Sequence, residues 1–158
     1  MIGAEYSLII RKAKLEDLDG IVALNIQMSK ETDTKIIDEN VVREGVKAVL
    51  RNVVKGFYLI AEEENNYKIL AGQLMVTFEW SDWRNKNIWW IHNVYVDKKY
   101  RNKKVFSRLY RCAVKMASSE RNVVVLRLYV EDYNVSAKQV YESFGMKKTS
   151  YEIYEISL

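Results

Sequence analysis

The sequence of 158 residues predicts an α/β fold, a single domain spanning 1–158 with a mixed sheet. Predicted strands and helices alternate along the chain, which is typical of this fold class. The composition, 49% hydrophobic and 29% charged, is that of a globular protein able to bury a core. Residues 123–130 are apolar over most of their length and predict a central strand rather than an exposed edge.

The first part of the chain predicts one strand and two helices. Residues 8–13 are typical of a short strand, and residues 15–28 carry apolar side chains at helical spacing. A polar segment, 29–35, follows as a loop. Asp38 is a suitable N-cap for a second helix whose valines form one stripe.

The middle of the chain predicts a hairpin and a third strand. Residues 57–62 and 69–78 are typical of strands, and Asn65-Asn66 between them predicts a tight turn. Residues 79–87 are polar enough to predict a loop, and residues 88–96 predict the next strand.

The last third predicts helix, strand, helix and strand. The helices cover 104–118 and 135–144, and Gly145 is a typical stop for the second one. Residues 146–156 predict a final strand. Pairing of this terminal strand between two copies would make a homodimer.

Positive charge is concentrated in one segment. Residues 98–115 hold eight basic side chains and no acidic one, although the net charge of the whole chain is only +4. Such a segment suits a polyphosphate ligand or a nucleic acid backbone, and its simpler interpretation is a solvated helix face.

Composition also excludes several classes of protein. The longest apolar runs are too short to cross a membrane, and the N-terminus lacks the pattern of a secretory signal. The single cysteine, Cys112, excludes an internal disulfide framework and argues against a metal site. We therefore expect a cytoplasmic protein without a metal.

Two motifs stand out in the last two thirds of the chain. The first is the strand, loop and helix at 91–110, and the second is Asn134-x-x-Ala137-x-x-x-Tyr141-x-x-x-Gly145-Met. Together with the order of elements, these motifs resemble the GCN5-related N-acetyltransferase (GNAT) superfamily. The segments at 31–33, 79–84 and 89–91 resemble a subgroup described only as acetyltransferases. The resemblance implies a mostly antiparallel twisted sheet of about six or seven strands with about four helices.

The resemblance also implies acetyl-CoA as co-substrate, lying between two parallel strands that splay apart, here 88–96 and 123–130. A bulge in the first strand would leave backbone groups of Val94, Tyr95 and Val96 to bond the pantetheine arm. Their other interpretation is ordinary core strand. Asn134 is the matching candidate for a hydrogen bond to the cofactor, or it is a helix cap.

The pyrophosphate would lie on the loop at the start of the basic helix, where free N–H groups and the helix dipole favour an anion. Arg101 matches the family pattern, but Lys104 and Phe106 stand where the pattern has small residues. Lys104 must turn its Cβ away from the ligand, and its ammonium could contact a phosphate. The loop residues are Arg101, Asn102, Lys103, Lys104, Val105, Phe106 and Ser107.

The chemistry implied is direct attack of a primary amine on the thioester. Tyr141 occupies the family position of the proton donor to the departing thiolate, although most tyrosines serve packing. His92, the one histidine, has the right pKa for a base. Strict strand alternation places it on the face of Val94 and Val96, so a buried structural histidine is the alternative. Glu79 is the second candidate base.

Acidic residues and tryptophans fall in the segments that flank the acceptor site in this family. The acidic candidates for binding an amine are Glu31, Asp33 and Asp82, beside Glu79. The tryptophans at positions 80, 83, 89 and 90 are predicted to crowd the same region, suiting a polyamine or an amino acid-like amine. Their simpler interpretation is polar loops and core or interface aromatics.

The predicted function is therefore transfer of an acetyl group from acetyl-CoA to a small primary amine. One alternative is a catalytically silent acyl-CoA sensor of the same fold, which Lys104 favours and Tyr141 opposes. The other is a nucleic-acid-binding module using residues 98–115. It is disfavoured because no aromatic platform interleaves the basic positions.

Overall fold

The computed structural model describes residues 7–32, 37–64 and 66–158, and only the backbone of 66–68. The chain divides into two units, Met1–Leu128 and Tyr129–Leu158, which are described separately. A single domain over the whole chain stays a prediction. Among the described residues, no helix is both long and apolar enough to cross a membrane.

The first unit is built on a mixed sheet in which five strands are described in the order β1-β2-β3-β4-β5. Neighbours pair antiparallel from β1 to β4, and β4 pairs parallel with β5. The strands are β1 (Leu8–Lys12), β2 (Phe57–Glu63), β3 (Asn66–Ser81), β4 (Lys86–Val96) and β5 (Val123–Leu128). The helices are α1 (Leu18–Glu31), α2 (Glu39–Arg51) and α3 (Val105–Ser119), and the second unit contains α4 (Val135–Ser143).

Helices α1 and α2 cover one face of the sheet. Tyr58 and Ile60 of β2 and Tyr95 of β4 form one buried cluster with apolar residues of both helices. Helix α3 covers the other face, where a Cβ at Gly72 would lie 3.1 Å from Val105. Register partners share a face, so Ala61, which lies opposite Gly72, also points toward α3.

Helix α1 begins and ends three residues later than predicted and contains part of the predicted polar loop. A 3₁₀ turn, Leu15–Asp17, precedes it, and it continues through Glu31. The Ser29 hydroxyl donates to the Ile26 carbonyl and the Thr32 hydroxyl to the Met28 carbonyl, so these polar side chains satisfy helical carbonyls at the helix end. Asp38 is the N-cap of α2 as predicted, because its carboxylate accepts the Asn40 N–H at 2.8 Å.

The predicted loop at 79–87 is wrong over most of its length. Strand β3 continues to Ser81 and β4 begins at Lys86, leaving a turn at 82–85 in which Asn85 has φ 49°. Polar side chains on one face of an extended hairpin resemble a loop in the sequence, since only alternate residues must be apolar. The predicted turn residue Asn65 lies outside the described residues.

The predicted terminal strand at 146–156 is also wrong, because residues 146–158 form no strand in the described structure. A strand needs a neighbouring edge to bond, and alternating Tyr and Ile do not specify one. Tyr151 is 78% and Tyr154 is 88% exposed. The described sheet therefore has fewer strands than predicted, and β5 is its last strand rather than a central one.

Candidate functional site

Strand β4 contains a bulge at Asn93 and Val94. Met75 lies opposite His92 and Gln73 lies opposite Tyr95, so Leu74 of β3 faces two residues of β4. Asn93 takes up the extra residue in the left-handed region with φ 48°, a conformation that asparagine tolerates better than most residues.

Buried polar side chains support this bulge. The Asn93 amide nitrogen lies 3.5 Å from the Tyr58 hydroxyl, and the fully buried Gln73 donates to Asn25 at 2.7 Å. Burial raises the pKa of Tyr58, which keeps its phenol neutral. The Gln73 Oε1 atom has no hydrogen-bond partner among the described residues.

The bulge also changes which side chains share a face. Met75, the register partner of His92, packs against the α1–α2 cluster that contains Tyr95. His92 and Tyr95 therefore point to the same side although they are three residues apart. The prediction that His92 shares its face with Val94 and Val96 is wrong, because it assumed strict alternation across the bulge.

The parallel ladder between β4 and β5 ends just before the bulge. Its last pair is Ile91 with Leu128, while β4 continues to Val96. The backbone of Val94, Tyr95 and Val96 thus lies beyond the end of this ladder. On its other edge, this part of β4 still pairs with β3, where Gln73 lies opposite Tyr95.

The loop after β4 is held in an unusual backbone conformation. Asp97 caps a 3₁₀ turn by accepting the Lys99 N–H, and both Asn102 (φ 63°) and Lys104 (φ 60°) are left-handed. Lys104 is the N-cap of α3 and makes no side-chain cap. The glycine of the family pattern is thus replaced by a lysine at a position that does require positive φ, which favours glycine.

The other loop side chains divide between solvent and packing. Asn102, Lys103 and Lys104 are exposed, whereas Val105 is buried beneath the helix start. The Phe106 ring lies 5.9 Å from the Tyr110 ring, and Ser107 is half-buried. The large residue at position 106 therefore packs along α3.

Arg101 and Glu31 form an ion pair that ties the loop to the end of α1. The Arg101 guanidinium lies 2.6 Å from Glu31 and donates to the Val96 carbonyl at 3.1 Å. The Tyr95 hydroxyl donates to Glu31 at 2.5 Å, and Lys98 lies 3.7 Å away. The hydrogen bonds from Tyr95 and Arg101 lower the pKa of Glu31, while burial and Glu31 raise the pKa of Tyr95 to about 12.

Glu31 therefore lies in the last turn of α1 beside the basic loop, rather than in a loop over the acceptor. A cavity of about 310 Å³ adjoins it and is lined also by Lys30, Asp97 and Lys99. Of the other acidic candidates, Asp82 lies exposed in the hairpin turn and accepts the Trp83 N–H at 2.8 Å. Asp33 lies outside the described residues.

A second polar group spans β3, β4 and β5 on the α1–α2 face. The Thr77 hydroxyl lies 2.8 Å from His92 Nε2, and the Trp90 ring stacks 6.5 Å from the His92 ring. The Trp90 indole donates to Glu79 at 2.5 Å. Arg127 lies 3.8 Å from Glu79 and 5.6 Å from the Trp90 ring. We call these five residues the acceptor cluster.

Burial lowers the pKa of His92 below its ordinary value. The imidazole is therefore neutral at pH 7 and can accept a proton. The Thr77 hydroxyl fixes the position of Nε2, so the ring has a defined orientation on the sheet. The structure thus brings together both predicted bases, His92 and Glu79, through the ring of Trp90.

The four tryptophans do not crowd one region as predicted. Trp89 is 6% exposed and packs against Phe57 and Phe78 on the α3 face, opposite to Trp90. Trp80 and Trp83 are 55% and 93% exposed near the hairpin turn. Adjacent strand residues point to opposite faces, which the pair Trp89-Trp90 illustrates.

The second unit holds the remaining two candidates. Tyr141 is half-buried in α4, and burial raises the pKa of its phenol, so the hydroxyl stays protonated at neutral pH. The Asn134 side chain caps α4 by accepting the Ala137 N–H at 3.1 Å. The alternative interpretation of Asn134 as a helix cap therefore describes its contact in the structure.

Sequence reasoning missed Thr77 and Arg127 as members of the acceptor cluster, whereas Trp90 was among the tryptophans expected near the acceptor. Arg127 could have been found from the sequence, since it is a charged residue inside an otherwise apolar strand. Thr77 could not, because its role depends on cross-strand register. Among the described residues, no group of three or more His, Cys, Asp or Glu could hold a metal ion.

Comparison with known proteins agrees with this architecture. A possible acetyltransferase from Clostridium difficile 630 is 41% identical, with a TM-score of 0.88 over 96% of this chain and 97% of that one. A predicted acetyltransferase from Clostridium acetobutylicum, solved with acetyl-CoA, is 20% identical, with a TM-score of 0.77 over 96% of each chain. Glucosamine-6-phosphate N-acetyltransferase from Arabidopsis thaliana is 19% identical, with a TM-score of 0.74 over 95% of this chain and 98% of that one.

The last two likenesses show the fold alone. No curated protein matches the chain. The model of the acetyltransferase (GNAT) family matches residues 26–146, a span that includes the β4 bulge, the basic loop and Tyr141. The chain therefore belongs to the acetyltransferase (GNAT) family.

Proposed function

We propose that this protein is an N-acetyltransferase that moves the acetyl group of acetyl-CoA to a primary amine of a small molecule. The amine attacks directly within a ternary complex, and residues 1–158 act as one cytoplasmic catalytic domain. Family membership supports acetyl transfer in general, and the chain's own residues support the assignment of roles below.

The observation that carries the proposal is the arrangement at the end of β4. The bulge at Asn93–Val94 follows directly on the last β4–β5 pair, Ile91 with Leu128. The backbone of Val94, Tyr95 and Val96 lies beyond that pair and would offer N–H and C=O groups to an extended amide chain, as a strand edge does, with the Val96 carbonyl also accepting from Arg101. These groups would bind the pantetheine arm.

The basic loop fits a pyrophosphate. The first N–H groups of an α-helix lack acceptors inside the helix, and Lys104 provides no side-chain cap for them in α3. The exposed Lys103 and Lys104 add positive charge near the helix start. An anion there would gain both from these donors and from the helix dipole, so residues 101–107 would hold the phosphates.

When bound, acetyl-CoA supplies a thioester that is activated toward amines. An alkylamine has a pKa of about 10 and must lose a proton to react. The neutral His92, held by Thr77, would accept that proton, and Glu79 is the second candidate. The Tyr141 hydroxyl would donate a proton toward the departing sulfur, and Asn134 would contribute a hydrogen bond from its side-chain amide N–H.

The test combines binding with turnover. Isothermal titration with acetyl-CoA and with CoA measures binding, and thiol release with a panel of amines measures transfer. We expect both, and Tyr141→Phe should lower kcat by roughly 10²-fold or more with little change in KM. Tyr133→Phe, an exposed tyrosine of the same unit, is the matched control and should leave both constants unchanged.

The alternatives give different results. Binding of acetyl-CoA without thiol release from any amine would replace the enzyme with the silent acyl-CoA sensor. Failure of millimolar acetyl-CoA to bind would remove both. An unchanged kcat in Tyr141→Phe would remove Tyr141 as the proton donor.

A further inference from the structure

We propose that Glu31 is a positioning residue for acetyl-CoA, which acts through Tyr95 and Arg101 to hold the backbone of residues 94–96 in place. The inference rests on the proposed acetyltransferase function, in which that backbone binds the pantetheine arm. It gives Glu31 a role on the cofactor side of the site, instead of the amine-binding role predicted from the sequence.

The backbone of residues 94–96 is supported by the sheet on one edge. The ladder with β5 ends at Ile91, so in the part of the chain that the structure describes this segment pairs with β3 alone. The segment also follows directly on the bulge, where the regular ladder of hydrogen bonds is interrupted. Contacts from outside the sheet therefore contribute to its position.

Glu31 supplies such contacts at two points. Its Oε1 atom accepts a hydrogen bond from the Tyr95 hydroxyl at 2.5 Å, and its Oε2 atom accepts one from Arg101 at 2.6 Å. Arg101 in turn donates from Nε to the Val96 carbonyl at 3.1 Å, and its Cζ atom lies 5.6 Å from the centre of the Tyr95 ring. Glu31, Tyr95, Val96 and Arg101 thus form a closed ring of contacts, which joins the end of α1 to the proposed cofactor-binding backbone.

The position of Glu31 is not favourable for the helix itself. It is the last residue of α1, where the helix dipole favours a cation over a carboxylate. The hydrogen bonds from Tyr95 and Arg101 offset this repulsion and lower the pKa of Glu31, so its side chain is charged at neutral pH. A carboxylate at this end of α1 is therefore explained by its bonds to β4 and the basic loop rather than by helix formation.

Arg101 has two possible roles that the structure helps to separate. Its Nε atom bonds the Val96 carbonyl and its Nη2 atom bonds Glu31, so its contacts are with the protein backbone and with α1. The N–H groups at the start of α3 provide donors for the phosphates without it. The competing role is a direct contact between the guanidinium and the pyrophosphate, and a donor that lacks phosphates distinguishes the two.

The test therefore compares two acetyl donors, acetyl-CoA and S-acetylpantetheine, which has the thioester and the pantetheine arm but no phosphate. Glu31→Ala should lower kcat/KM by about tenfold for both donors, the range for loss of a charge-assisted hydrogen bond. The change should be in KM for the donor, with kcat and KM for the amine little altered. A residue that only stabilises the fold would not separate the two substrates in this way.

Three further variants assign the effect to the ring of contacts. Tyr95→Phe removes one of the two attachments and should weaken both donors by a common, smaller factor. Glu31→Gln keeps an acceptor for the Tyr95 hydroxyl and should retain part of the affinity. Glu44→Gln is the matched control, because it removes an ion-paired carboxylate of α2, 3.1 Å from Lys47, and it should leave all constants unchanged.

Other patterns would overturn the inference. A loss confined to acetyl-CoA would assign Arg101 to the pyrophosphate. A raised KM for the amine with unchanged KM for the donor would return Glu31 to the acceptor site. Unchanged kinetics in Glu31→Ala would leave it without a role in binding.

Titration with CoA separates this inference from the proposed function. If no amine is acetylated, weaker binding of CoA to both Glu31→Ala and Tyr95→Phe would still support the positioning role, and unchanged binding to either would overturn it. Failure of the wild-type protein to bind CoA would overturn the proposed function and this inference together.

Discussion

The two faces of the sheet at β3 and β4 differ in the contacts that their side chains make, as the adjacent residues Trp89 and Trp90 show. Trp89 points toward α3 and packs against Phe57 and Phe78, whereas Trp90 points to the other side and donates a hydrogen bond to Glu79. One face holds an aromatic cluster, with the Lys12 ammonium 4.5 Å from the centre of the Phe57 ring, and the other holds the acceptor cluster. The same strands thus serve stability on one side and chemistry on the other.

The largest expected effect is on stability, from Trp89→Ala. The side chain is 6% exposed and in contact with two aromatic rings, so its removal leaves a cavity. We expect a loss of about 3–5 kcal/mol in the free energy of unfolding, measured by chemical denaturation.

Trp90→Ala is the paired control for that variant. Trp90 is half-buried, so we expect less than half of the Trp89→Ala destabilisation and a larger loss of acetyl transfer per folded molecule. Equal destabilisation by the two variants would contradict the division of roles between the faces.

His92→Gln should lower kcat/KM by roughly 10²-fold at neutral pH, because the proton acceptor is lost. The wild-type rate should fall on acidification at a pH below 6.5, since burial lowers the pKa of His92 and protonation removes its lone pair. A pH–rate profile of both proteins checks this. An unchanged acid limb in His92→Gln would assign the base to another group.

The lowered pKa of His92 also predicts that the stability of the protein depends on pH. Below pH 6.5 the unfolded chain binds a proton at His92 before the folded chain does, so the free energy of unfolding falls as the pH falls toward the folded pKa. His92→Gln should remove this contribution. Denaturation at pH 7.5 and at pH values below 6.5 separates this contribution from catalysis.

Glu79→Gln should have a smaller effect, about tenfold on KM for the amine with kcat nearly unchanged, since it removes the negative charge that attracts an ammonium. The unfolding free energy should change by less than about 1 kcal/mol, because the carboxylate is 45% exposed. Steady-state kinetics with varied amine checks this. A large loss in kcat with unchanged KM would instead make Glu79 the base.

The smallest expected effect comes from Lys104→Gly. Relief of the left-handed conformation exceeds the added entropy of the unfolded chain, so we expect about 0.5–1 kcal/mol of added stability. Chemical denaturation measures it. Lys103→Gly is the control, because the neighbouring Lys103 does not have a positive φ. This variant should not stabilise the protein.

The order of most helices and strands was predictable from the sequence, because it depends on apolar spacing and caps. Asp38 and Gly145 mark a helix start and a helix end, as their residue types indicated. The extension of the β3–β4 hairpin beyond residue 78 was not predicted, because Glu79 and Ser81 are polar residues of the kind found in loops. The prediction of a terminal strand was wrong because alternating Tyr and Ile do not specify the sheet edge with which a strand would pair.

The candidate site was predictable only in part, for a similar reason. His92, Glu79 and the loop 101–107 were found from residue type and motif. Arg127 and Thr77 were not, since their proximity to His92 and Glu79 arises from the pairing of distant strands. Glu31 was assigned to the acceptor, but α1 continues through Glu31 and brings it to Arg101.

The left-handed pair Asn102 and Lys104 has a consequence for the energetics of binding. A loop with glycines at these positions samples many backbone conformations before a ligand arrives and loses that freedom on binding. Side chains with a Cβ restrict the sampling, so the loop is preorganised, and the ordering cost is met during folding. In this protein, the lysine that stands in place of glycine at position 104 therefore lowers the stability of the fold but leaves a binding loop that needs little rearrangement.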